Sequence, residues 1–213
     1  MGLLHMISVA LLLATPLRAA ETYDLIFKTG TLDDVAVEAG LTYDRTVTLA
    51  TDPAYGARNT GEVALIFAPD DVAALRFVQG AQHRNLGQFP VSTGNPVIMY
   101  FVETVLRDMA GQAGGSPFYI RNRLKEALLE VVPIEDMMVP YEGGQVAAKQ
   151  ITLRPFEDDP NRAKMGIYGD LSLRFVMSDD VPGWYVSLSA MAPGGADDPG
   201  YRNTVVLVEG ARE

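Results

Sequence analysis

Apolar and polar residues alternate between Leu41 and Leu49, with Leu41, Tyr43, Val47 and Leu49 in one phase and Thr42, Asp44, Thr46 and Thr48 in the other. Successive side chains of a strand point to opposite faces, so this run predicts a strand with one dry face and one wet face. Tyr23, Leu25 and Phe27 give a shorter alternation and predict another strand. After a loop around Asp52-Pro53, Val63, Leu65 and Phe67 predict a third. Ala74 to Val78 is read as a strand too, a short helix capped by Asp70 being the alternative; Ala81 to Asn85 is read as a polar loop.

The period changes in the middle of the chain. Asn95 is a residue that accepts from free N–H groups at a helix start, and Pro96 is suited to the first turn, having a fixed φ and no N–H to satisfy. Ile98, Val102, Val105, Leu106 and Met109 then trace one apolar stripe, ended by Gly111, Gly114 and Gly115. Ser116-Pro117 repeats the start signal, and Ile120, Leu124, Ala127, Leu128 and Val131 repeat the stripe, with Pro133 and Pro140 closing it. Two such helices joined by glycines predict an αα-hairpin.

Strand spacing returns in the last third. Ile151 and Leu153 alternate with polar residues, as do Leu171, Leu173, Phe175 and Met177. Trp184, Val186, Leu188 and Ala190 alternate with Tyr185, Ser187 and Ser189. Between the last two strands, Pro182-Gly183 suits the centre of a type II turn, which needs φ > 0 at its second central residue. A final strand is expected from Thr204 to Val208. Strands, a helical hairpin, then strands again predict an α+β fold in which a curved antiparallel sheet, half-barrel-like, packs on a central helical hairpin.

This order, together with the terminal hairpin LSLRFVMSDDVPGWYVSLSA, resembles the periplasmic curved-sheet half-barrels of the LolA-like type. The resemblance implies long strands wrapped around helices, with an apolar hollow that accepts lipid or lipoprotein acyl chains. The double helix from Asn95 to Val131 departs from that pattern.

The amino terminus adds a compartment. Met6 to Ala14 is almost unbroken apolar sequence, Pro16 interrupts it, and Leu17-Arg18-Ala19-Ala20 leads into polar residues. That order is expected of a cleavable export signal, and the run is shorter than the roughly 20 apolar residues of a membrane span. The expectation is a signal peptide over residues 1–19 and a single exported domain over 20–213, without a transmembrane anchor after cleavage. The location is extracytoplasmic, or periplasmic in a Gram-negative cell. The chain has no Cys, so it carries neither a lipoprotein acylation site nor a disulfide.

Charge narrows the partners. There are 17 Lys and Arg against 27 Asp and Glu, a formal charge of −10, and losing Arg18 with the leader makes it −11. Such a surface repels phosphate backbones, which argues against nucleic acid.

Candidate chemistry is sparse, and no cofactor or metal is expected. His83 is the one His outside the leader and has no G-x-S-x-G, H-E-x-x-H or P-loop beside it. A hydrolase built on it is the least favoured function. Five Asp-Asp pairs, at 33–34, 70–71, 158–159, 179–180 and 197–198, lack calcium-loop spacing and are read as turn formers. Arg107, Arg121, Arg123 and Lys125 concentrate positive charge on the two helices and are candidates for an acidic envelope partner, local ion pairing being the plainer use. Phe175, Met177, Trp184 and Met109 are candidates for lining a hydrophobic site. The leading expectation is a non-enzymatic exported protein that binds a lipid or acyl chain between sheet and helices; the alternative is an envelope interaction protein using the basic helix face.

Overall fold

The computed structural model describes residues 15–36, 40–68, 70–194 and 200–208, with the backbone alone for 15–20. The apolar run Met6–Ala14 and the pair Asp197-Asp198 lie outside the described residues. The elements are α1 (Thr15–Ile26), β1 (Leu41–Leu49), α2 (Pro53–Asn59), β2 (Gly61–Ala68), β3 (Val72–Gln79), β4 (Gln82–Pro90), α3 (Val97–Ala113), α4 (Pro117–Leu128), β5 (Ile134–Tyr141), β6 (Gly144–Leu153), β7 (Ser172–Met177), β8 (Tyr185–Ala192) and β9 (Tyr201–Leu207). A 3-10 segment, Arg162–Asp170, precedes β7.

The fold is α+β. All nine strands form one curved antiparallel sheet in the order β4-β3-β2-β1-β9-β8-β7-β6-β5, so β9 joins two four-stranded halves. The predicted inner phase of β1 is buried, as are Tyr201, Val205 and Leu207 of β9 and Leu173, Phe175 and Met177 of β7. Against this face pack Val97, Ile98, Phe101, Val105 and Met109 of α3 and Ile120, Leu124 and Leu128 of α4. Phe101 meets Phe175 edge-on at 6.2 Å, an arrangement aromatic rings favour.

Asn95 acts at the start of α3 as expected, whereas Ser116, in place before α4, makes no side-chain cap hydrogen bond. Asn95 Oδ1 accepts from the Val97 N–H at 3.1 Å, while its Nδ2 donates to Tyr43 Oη and Gly183 O at 2.7 and 2.8 Å, so one buried side chain ties α3 to β1 and to the β7–β8 turn. That turn is of the predicted kind: Gly183 has φ +76°, and the Trp184 N–H donates to Val181 O at 3.4 Å. A Cβ on Gly183 would lie 2.9 Å from Asn95 Nδ2 and 3.1 Å from Tyr43 Oη.

Several expectations are corrected. Residues 23–26 are helical and Phe27 lies in the turn that follows: Thr22 and Ile26, four apart, are buried, and the rings of Tyr23 and Phe27, also four apart, meet at 4.8 Å. Three apolar residues in alternation are too few to separate the two periods. The loop at Asp52-Pro53 starts a helix, α2, whose Tyr55 N–H donates to the Asp52 carboxylate at 2.9 Å. The polar loop around His83 is part of β4, which carries no apolar alternation because much of this edge strand faces solvent. Helix α3 runs through Gly111 to Ala113, and α4 ends at Leu128, leaving Val131 exposed beyond it. Pro140 lies within β5, the other edge, where a missing N–H costs no ladder bond. A bulge between Val176 and Met177 shifts the register, so Tyr185 takes the inner side and Val186 joins Val139, Ala148 and Val176 in a small apolar cluster apart from the main core.

Candidate functional site: a groove between three helices

Helical spacing brings three apolar faces together. On α3, Met99, Val102, Glu103 and Leu106 recur at the three- and four-residue intervals of one face, and on α4 Arg121, Leu124, Lys125 and Leu128 do the same, with Leu129 just past its end. Tyr23 and Phe27, at the end of α1, close the third side. The result is an open groove of about 450 Å³, within the range of small-molecule sites. Leu106, Leu124 and Leu128 are buried and give it a dry floor, while Met99 and Leu129 are 56% and 60% exposed. Phe118, 74% exposed, stands three residues before Arg121 at the start of α4. Large apolar side chains gathered in the open mark a binding surface, whereas single ones are ordinary.

The basic candidates divide here. Arg121 and Lys125 line the groove. Arg121 Nη2 lies 3.3 and 3.4 Å from the two Glu103 carboxylate oxygens, joining α4 to α3. Arg123 turns away to two carboxylates, Glu126 and the fully buried Asp159, whose oxygens also accept from Tyr119 Oη at 2.9 Å. Asp159 thus locks α4 to the segment before the 3-10 turns, a role beyond turn formation, and the half-buried Arg123 is committed to its two intramolecular pairs. Arg107 lies four residues beyond Glu103 on α3.

The apolar candidates lie elsewhere. Phe175, Met177 and Met109 are buried in the main core, and none of them lines the groove. Trp184 borders a second, polar hollow of about 320 Å³ beside Lys28 and Asp179. Its indole Nε1 donates to Leu25 O at 2.9 Å and the Lys28 ammonium sits 4.0 Å from its ring centre, so it anchors the end of α1. His83 is exposed on β4, opposite Val78. Among the described residues, no group of three His, Asp or Glu is placed to hold a metal ion, and no helix is long and apolar enough to cross a membrane.

A polar cluster inside the core went unseen in the sequence. Arg45 of β1 and Asp108 of α3 are buried, with Nη2 and Oδ2 4.0 Å apart. Arg45 Nη1 donates to Tyr100 Oη at 3.0 Å, and its Nε reaches Asn203 Oδ1 at 3.4 Å. Asp108 accepts from Tyr201 at 2.6 Å, from Asn203 Nδ2 at 3.2 Å and from Tyr55. Burial raises the hydroxyl pKa of Tyr55, Tyr168 and Tyr201 well above the ordinary value, and the Asp108 carboxylate adds to it. Arg45 occupies the inner phase of β1, Asn203 that of β9 and Asp108 the core face of α3. A charged residue in the dry phase of an alternation was the available signal. The cluster ties β1, β9, α2 and α3 together, and its groups bond one another except Arg45 Nη2, which is buried without a hydrogen-bond partner and faces Asp108 at 4.0 Å.

No family model matches the chain, and no curated protein does. Among solved structures it is similar to the lipoprotein LppX of Mycobacterium tuberculosis, at 12% identity over 93% of this chain and 97% of that one, with a TM-score of 0.33. So loose a likeness carries no argument, and the functional reading rests on the residues of the groove.

Proposed function

We propose that this is an exported, non-enzymatic protein that binds a hydrophobic ligand, a lipid or an acyl chain, in the groove formed by α1, α3 and α4. The observation that carries the reading is the groove itself: a floor of buried leucines, a rim of exposed Met99, Leu129 and Tyr23, and room for a small ligand. Water against such a surface is released when an apolar chain covers it, at about 25 cal/mol per Å². The apolar run before α1 supports export.

The site differs from the one the resemblance suggests, because the ligand lies against the helical hairpin and α1 instead of between hairpin and sheet. Organic extraction of protein purified from the exported fraction, followed by mass spectrometry, is expected to release a bound lipid or acyl chain. A fluorescent fatty acid is expected to bind, and Met99→Glu with Leu129→Glu, both at exposed positions, to weaken it at least about tenfold while circular dichroism stays unchanged. No extracted lipid and no binding of the probe would overturn the reading.

A further inference from the structure

Resting on the hydrophobic-ligand reading, we propose that the ligand is a single-chain amphiphile with a carboxylate head, and that Lys125 holds that head. The groove contains three charges, Glu103, Arg121 and Lys125. Glu103 and Arg121 satisfy each other across the two helices. Lys125 forms no ion pair among the described residues, although the chain as a whole carries −10. The groove therefore has one surplus positive charge beside an apolar floor, and a monoanion neutralises it.

Position and size agree with that assignment. Lys125 lies one helical turn from Arg121 and one from Leu129, in the middle of the α4 wall. A lysine keeps its methylenes along apolar surface and its ammonium toward water, which is where the head of a chain lying on Leu124 and Leu128 would rest. Arg121 to Leu129 is eight residues, about 12 Å along the axis, and the volume of about 450 Å³ sits in the lower part of the range for ligand sites. Those dimensions fit one medium-length chain better than a two-chain lipid.

The test is competition against an environment-sensitive apolar dye by dodecanoate, dodecanol and dodecylamine, which share a chain and differ in head charge. Dodecanoate is expected to displace the dye at about tenfold lower concentration than dodecanol, with dodecylamine weakest, because a charge-assisted bond adds to the common apolar contribution. Lys125→Met should bring dodecanoate down to the level of dodecanol; Lys125→Arg should restore the preference. Lys125 is exposed, so these variants are expected to keep the fold, and circular dichroism checks it. Equal displacement by all three compounds, or an undiminished carboxylate preference in Lys125→Met, overturns the head assignment and leaves the hydrophobic groove standing. Failure of all three to displace the dye overturns both.

Discussion

Removing the Asp108 carboxylate should unfold this protein more readily than any change at its surface. The side chains of Arg45 and Asp108 are 1% and 2% exposed, and Asp108 accepts from Tyr55, Tyr201 and Asn203. Asp108→Ala leaves a buried guanidinium without its counter-charge and three donors without their acceptor. Breaking a buried pair from one side costs about 3–5 kcal/mol, which for a chain of this size lowers the melting temperature by about 6–20 °C. Arg45→Met strands the carboxylate instead and should fall in the same range. The double variant removes both charges, so its loss should be clearly smaller than the sum of the two single losses. Thermal unfolding followed by circular dichroism, with urea midpoints for the three variants, provides the measurement. A drop of less than about 1 kcal/mol in Asp108→Ala, or strictly additive losses, would refute the claim that the pair is a coupled and desolvated unit.

Other outcomes follow from single contacts. Asn95→Ala loses a helix cap and leaves Tyr43 and Gly183 without their buried partner, so the urea midpoint should report a loss of about 2–4 kcal/mol, and Asn95→Asp, which keeps the cap acceptor, should lose less. Gly183→Ala forces a side chain into φ +76° and toward Asn95 and Tyr43, so it should destabilise by about 1–3 kcal/mol, and it should lose more than Gly143→Ala, where φ is +74° but nothing lies within 4 Å and only the backbone strain is felt. Burial raises the pKa of Tyr43, Tyr55, Tyr168, Tyr185 and Tyr201 above 10.0. The folded state holds these protons more tightly than the unfolded one, so their contribution is complete below pH 10 and is lost as pH rises toward the folded values. Tyrosinate absorbance in an alkaline titration should therefore rise first for exposed tyrosines and then cooperatively, together with unfolding; a single non-cooperative rise centred at the ordinary value would contradict the burial.

The sequence was readable where one face of an element is dry. β1, β3, α3, α4 and the β7–β8 hairpin each bury one phase of their pattern, so their periods stand out. The edge strands β4 and β5 were missed because solvent takes much of both faces and nothing forces an alternation on Gln82–Pro90 or Ile134–Tyr141. Helix α2 was legible in principle, since Asp52-Pro53 repeats the cap-and-proline signal of Asn95-Pro96 and Ser116-Pro117. Of the groove, the pattern singles out the basic residues Arg121 and Lys125 and places Val102, Leu106, Leu124 and Leu128 on apolar stripes, but not as a wall facing α1, because the alternation at Tyr23 and Phe27 predicts a strand. The Arg45–Asp108 cluster was half visible: Arg45 in the dry phase of β1 marks a buried charge, but nothing local pairs it with Asp108, sixty-three positions away.

The position of β9 has a consequence in time. Its ladders run to β1 on one side and β8 on the other, so residues 201–207 complete the middle of the sheet. Until that segment has been made, β1–β4 and β5–β8 are two pieces with no strand between them, and β1, already paired with β2 on one side, waits across some 150 residues for its second partner. Contacts between segments so distant are slow to form because the intervening loop must be closed first. The nine-stranded sheet therefore closes only after residues 201–207 have been made, late in the order of the chain.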